Sequence, residues 1–235
     1  MKKYTEINEE QFKQISGFLN IAYKDYLAAR TLLNNGLLYR GIIIANTAVE
    51  KYLKAYCLVQ GSKKKSHNAI KLYNEIKKNE PDLVICNSIN SDFIEMISKA
   101  YELRYFDGAI LNNGNKNFYL CVAQKKILAE LDYTVHILQN ESGVLANGKS
   151  LIGYYQEDLE NKDNLLFDNN YLLLGLNKSD FIKSRQKVYE FNYDRHGAFE
   201  LHRETSDVSD DGIFNIEKSY FTDYEEHYKK YTGMA

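Results

Sequence analysis

Tyr39–Val59, YRGIIIANTAVEKYLKAYCLV, decides the fold of this chain. Its first half, Gly41 to Ala45, is apolar on every side, which marks a helix buried inside a bundle. The second half turns amphipathic: Glu50 and Lys54 stand one turn apart in the order that favours an ion pair along a helix, with Lys51 beside them. A helix buried in this way needs neighbours, and the flanking sequence supplies them. Upstream, Phe12, Ile15, Leu19, Ala22, Tyr26, Ala29 and Leu33 recur at spacings of three and four and predict a long first helix. Asn34, Asn35 and Gly36 end it, Gly36 being suited to a left-handed C-cap. Downstream, a short third helix is expected over His67–Lys78, set apart by the sole proline, Pro81. A fourth follows from Asp92 to about Asp107, with Phe93, Ile97, Ala100, Arg104 and Asp107 on one stripe. After a turn at Asn112–Asn115, Leu120, Ala123, Ile127, Leu131, Val135 and Leu138 line the buried face of a fifth helix that Ser142 and Gly143 stop. The expected class is mainly α: an up-and-down bundle of about five helices over residues 1–142 that folds alone.

Beyond Gly143 the texture changes, and residues 143–235 are expected to form a smaller α+β extension. Tyr171–Leu176, YLLLGL, reads as a strand. Tyr189, Phe191 and Tyr193 alternate with polar residues, as do Phe199 and Leu201, and Asp194–Gly197 joins them into a hairpin. A terminal helix with Tyr220, Tyr224, Tyr228 and Tyr231 on one stripe is expected last.

Composition excludes several function classes. With 44% hydrophobic and 26% charged residues among 235, the chain is an ordinary globular protein. Thirty Lys and Arg against 32 Asp and Glu mean that a surface for nucleic acid must be a local patch. The lysine run Lys63–Lys65 reads as a solvated loop, with phosphate binding the minority option. The aliphatic stretch Ile42–Ala45 is too short to span a bilayer and MKKYTEINEEQFK lacks a signal peptide's apolar core, so action in the cytoplasm with no membrane partner is expected. Cys57, Cys86 and Cys121 are odd in number and contain no CxxC pair, which argues against a disulfide framework or a zinc site. Neither metal nor cofactor is expected: phosphate-binding glycine loops, HExxH and GxSxG are all missing, and Asp207, Asp210, Asp211 and Gly212 lack the ligand spacing of a calcium loop.

Four short patterns occur in an informative order. They are Asp25, Ala28 and Leu32 in helix one; Ala45, Asn46, Ala48, Val49, Glu50, Lys51, Leu53 and Lys54 in helix two; His67 with Leu72 at helix three; and Tyr101, Leu103, Arg104, Tyr105 and Asp107 closing helix four. In these the first 142 residues resemble the HEPN family, the helical "higher eukaryotes and prokaryotes nucleotide-binding" domains. The resemblance implies a helical bundle paired into a homodimer near the arginine. It also implies one of two functions. Many members are metal-independent RNases of toxin–antitoxin or phage-defence systems, placing an Arg and, four to six residues later, a His across the dimer interface. Others lack that pair and bind a nucleotide or accompany a small nucleotidyltransferase.

Metal-free RNA cleavage needs a base for the 2′-hydroxyl, an acid for the leaving oxygen and a cation for the phosphorane. Arg104 occupies the family's arginine position, but Tyr105, Phe106, Asp107, Gly108, Ala109, Ile110 and Leu111 follow it with no His. Asp107 is a poor substitute, because a further carboxylate repels the phosphate and is a weak base. The expectation is therefore a non-catalytic protein that binds a nucleotide, RNA or a protein partner through Arg104, Asp107, Glu50, Lys54 and His67. An RNase whose base is His67 or His202, and a purely structural interaction module, are the alternatives. Arg104 itself is expected either to pair with Glu50 or Asp25 as a structural ion pair or to bind an anion.

Overall fold

The computed structural model describes residues 5–62, 66–102, 104, 118–151, 153–194 and 197–210. Five longer helices carry the bundle: α1 (Glu9–Asn34), α2 (Leu38–Val59), α3 (Ala69–Asn79), α5 (Ser91–Glu102) and α6 (Gln124–Glu141), with a short α4 (Val84–Ser88) inserted before α5. The local chemistry explains the first of these. Asn8 accepts from the Gln11 amide at 2.8 Å while the Gln11 side chain accepts from the Asn8 amide at 3.4 Å, a reciprocal cap preceding Glu9 and Glu10 in the first turn. α1 and α2 form an antiparallel hairpin, and Gly41 lets them close: a Cβ there would lie 2.6 Å from Leu33 Cγ. As expected, α2 is the central helix, with Ile42, Ala45, Ala48, Val49, Tyr52, Leu53 and Ala55 fully buried.

Two small sheets complete the fold. In one, β1 (Thr5–Glu6) runs parallel to β3 (Val144–Ala146), which turns through Asn147 and Gly148, both at positive φ, into β4 (Lys149–Ser150). The other has the order β2 (Phe118–Ala123), β5 (Gln186–Asp194) and β6 (Gly197–Thr205), antiparallel throughout. The expected hairpin is present, with Tyr189 facing His202 and Asp194 facing Gly197. Along the chain, α7 (Tyr154–Asn161), α8 (Asn164–Phe167) and α9 (Lys178–Lys183) come between β4 and β5.

Two expectations need correction. Leu120 and Ala123 belong to β2, not to the fifth helix, which starts at Gln124. Leu120, Cys121, Val122 and Ala123 are buried consecutively, as in a strand covered on both faces, and their spacing merely continues the phase of the α6 stripe. Tyr171–Leu176 is a run of turns instead of a strand: the Leu174 amide donates to Asn170 O, the Leu176 amide to Tyr171 O, and Gly175 closes the run at φ +66°. The segment satisfies its backbone locally and leaves nothing for a sheet. The expected terminal tyrosine helix, the Lys63–Lys65 run and Asp107 lie outside the described residues.

One hydrophobic cluster runs through α1, α2, α3, α5 and α6 and takes in Leu166, Tyr171, Phe181, Val188 and Tyr189 from beyond Gly143. Polar stitches follow the same route. α6 has no cap of its own; Gln186 supplies one from β5, its Oε1 accepting from the Lys125 and Lys126 amides at 2.7 and 3.4 Å. Gln124 in turn donates to Leu33 O and Asn34 O at the end of α1, at 2.6 and 3.1 Å. At the centre is Arg30, fully buried. Its guanidinium pairs with the equally buried Asp132 of α6 and donates to Leu165 O at 3.1 Å and to Asp168 O, while Tyr26 donates to the same Asp132 oxygen at 2.7 Å. Burial by itself would lower the Arg30 pKa; the Asp132 carboxylate outweighs it and holds the guanidinium charged.

Arg30→Ala and Asp132→Ala should each lower unfolding free energy by about 3–5 kcal/mol, because each leaves a buried charge without its counter-ion. The double variant should lose less than the two losses together, which urea titration of all three proteins would show. Alkaline stability offers a second check. Burial pushes the Tyr56 and Tyr171 phenols up to about 12, whereas an unfolded tyrosine ionises near pH 10. The folded chain thus keeps protons that the unfolded chain releases. Stability should be fully present below about pH 10 and be lost as pH rises through about 12. Urea midpoints unchanged over that range, alongside full development of tyrosinate absorbance, would contradict this.

Candidate functional site

Glu50, Lys54 and His67 come together where α2 faces the loop entering α3. Glu50 is nearly buried, and its Oε1 accepts from Lys54 Nζ at 2.7 Å and lies 3.3 Å from His67 Nδ1. Lys54 Nζ is also 3.2 Å from that nitrogen. The arrangement suits either charge state of the ring. A neutral His67 accepts from Lys54; a protonated one donates to Glu50. His67 is 84% exposed, so its ring stands open to solvent above a nearly buried ion pair.

A polar junction fixes the surrounding helices. Ser98 of α5 donates to Asn46 Oδ1 of α2 at 3.3 Å and accepts from the Ile70 amide of α3 at 3.1 Å. The Asn68 side chain accepts from the Lys71 amide and so caps α3 one residue after His67. Lys51, directly after Glu50 in α2, pairs with Asp25 of α1.

The expected structural pairing of Arg104 with Glu50 or Asp25 is not formed: Glu50 is held by Lys54 and His67, and Asp25 by Lys51. The guanidinium of Arg104 instead lies over the Tyr101 ring, 3.2 Å from its centroid, and donates to Tyr101 O at 3.4 Å. Among the described residues Arg104 contacts Tyr101, while Glu50, Lys54 and His67 contact one another; Asp107 lies outside the described residues. The alternative base His202 packs against Tyr189, ring centroids 5.0 Å apart, on the β5–β6 hairpin.

Sequence reasoning did not single out a groove between α3 and α5, about 540 Å³ in volume, along which Lys71, Lys77 and Lys99 project. Lys99 pairs with Glu95 at 2.5 Å; Lys71 and Lys77 are exposed. The sequence carries no spacing signal for it: Lys71 and Lys77, six apart on α3, read as an ordinary solvated face until α5 is placed beside them. Among the described residues no group of His, Cys, Asp and Glu could hold a metal ion, and no helix is long and apolar enough to cross a membrane.

The family model described as HEPN domain matches residues 15–115. No curated protein and no solved structure matches the chain. The matched segment contains Glu50, Lys54, His67, the lysine groove and Arg104, and ends before β2 and α6. The HEPN likeness thus covers residues 15–115, which carry every candidate residue described above except His202.

Proposed function

We propose that the protein binds RNA through its HEPN segment without cutting it, as a homodimer. The observation that carries this reading is the groove between α3 and α5, where three lysines face a single carboxylate on a helix that leads into Arg104. Such a strip offers a phosphate backbone the local positive surface that the whole chain, at net −2, does not. Arg104 stacked on Tyr101 is a planar cation of the kind that holds phosphate or a base. Support for a non-catalytic role comes from the sequence after Arg104, which has no His four to six residues on, and from the His67 imidazole, which is engaged with Glu50 and Lys54. A bacterial toxin–antitoxin or defence setting, with a small nucleotidyltransferase as partner, is proposed on the family resemblance.

A second reading has its own observation. His67, exposed and oriented by a nearly buried glutamate, has the base-and-orienter form of an acid–base catalyst. One set of assays separates the two. Labelled single-stranded RNA should bind the dimer, identified by light scattering, with log affinity falling linearly against log salt by about 0.7 per phosphate neutralised. Lys71→Glu with Lys77→Glu should weaken binding at least about tenfold, as should Arg104→Ala. RNA should stay intact in EDTA. Cleavage in EDTA that His67→Ala abolishes would establish the enzymatic reading, and affinity indifferent to the lysine changes would reject the groove.

A further inference from the structure

Lys71, Asn74 and Lys77 of α3 all line the groove between α3 and α5. At 3.6 residues per turn the two lysines stand about 60° to either side of Asn74, about 9 Å apart along the helix axis. Flexible lysine arms adjust that interval to neighbouring charges. Asn74 is exposed and has no hydrogen-bond partner among the described residues. Asn68 and Ser98, which also line the groove, are committed: Asn68 Oδ1 accepts from the Lys71 amide at 3.1 Å, and the Ser98 hydroxyl accepts from the Ile70 amide and donates to Asn46. On the facing wall Lys99 is held by Glu95, which leaves Lys71 and Lys77 as the groove's cations without a carboxylate partner among the described residues. Along α3 the groove therefore presents cation, amide, cation.

That order matches one repeating unit of a nucleic-acid strand, in which a single sugar lies between two successive phosphates. Phosphate oxygens only accept hydrogen bonds, and the ammonium groups serve them. A ribose 2′-hydroxyl both donates and accepts, and the asparagine amide answers it with an acceptor oxygen and N–H donors. Deoxyribose has no such hydroxyl. We propose that Asn74 reads the ribose 2′-hydroxyl of a strand whose flanking phosphates lie on Lys71 and Lys77, so that the groove selects RNA over DNA through the sugar. The inference rests on the RNA reading of this groove and adds the group that tells the two nucleic acids apart, which lysine charge by itself does not do. A contact to the backbone carries no base information, so the preference for RNA holds whatever the sequence of the strand.

The test is fluorescence anisotropy of the full chain with one short labelled single strand made in three forms: RNA, DNA, and 2′-fluoro RNA, which keeps a ribose-like ring shape but cannot donate. RNA should bind about three- to tenfold more tightly than DNA, the span of one hydrogen bond. The 2′-fluoro strand should bind like DNA. Asn74→Ala should lower the affinity for RNA to that for DNA and leave DNA binding unchanged. This variant exchanges an exposed helical asparagine for the strongest helix former, so it should melt no lower than the parent. Lys71→Glu with Lys77→Glu should weaken all three strands together. Equal affinity for RNA and DNA, 2′-fluoro RNA binding as tightly as RNA, or a preference that survives Asn74→Ala would each overturn the proposal, while a persisting effect of the lysine changes would leave the RNA reading standing. Affinity for every strand indifferent to the lysine changes would reject the groove and the proposal with it.

Discussion

Arg30 and Asp132 form an ion pair with no exposure to water, and the rest of the structure is arranged around that constraint. A guanidinium in a core is tolerated only when its donors are satisfied, and α1 and α6 do not supply enough acceptors. The carbonyls of Leu165 and Asp168 provide the remainder, so the chain must return across the bundle at α8. Tyr26 adds a hydrogen bond to the carboxylate and Tyr23 reaches Asp158 of α7 at 2.6 Å, which fastens the same side again. Capping of the α6 N-terminus by Gln186 and of the α1 C-terminus, one turn beyond Arg30, by Gln124 repeats the pattern. In each case a backbone or charge of the bundle is completed by residues distant in sequence.

This organisation leaves the opposite side of α2 to the candidate residues. α1 and α6 hold α2 from the side tied to the later segment, and the α2–α5–α3 junction at Asn46, Ser98 and Ile70 presents Glu50, Lys54, His67 and the lysine groove together. Arg104 follows at the end of the same α5 helix that contributes Lys99.

Legibility in the sequence divided along physical lines. Helices whose apolar period is long and uninterrupted were readable, α1 and α2 above all, and so was the Glu50–Lys54 pair, because helical geometry brings together residues four apart without tertiary information. β2 was not, since its apolar positions continue the phase of α6 and only pairing with β5 distinguishes the two. The β3–β4 turn was marked by Asn147–Gly148, a strong hairpin signal, but its strands are too short to show alternation. Tyr171–Leu176 carries strand-like residues whose fate was decided by Asn170, whose Oδ1 accepts from the Leu173 amide and starts a turn. At the site, Arg104 was found by its place in a motif, yet its ring partner Tyr101 stood three residues before it in the same motif. Arg30 was missed altogether: an arginine on a helical apolar face looks like a boundary residue until its acceptors, more than a hundred residues away, are in position.

If the buried arginine binds the two segments into one cooperative core, a chain ending at Gly143 lacks the Leu165 and Asp168 carbonyls, the Gln186 cap and the partner strand of β2. Urea unfolding of that truncated chain, followed by circular dichroism beside the full chain, tests the account most directly. The account predicts a shallow, non-cooperative transition with helical signal lost at low denaturant. A steep transition with a midpoint near that of the full chain would show that residues 1–143 hold their own core and would contradict it.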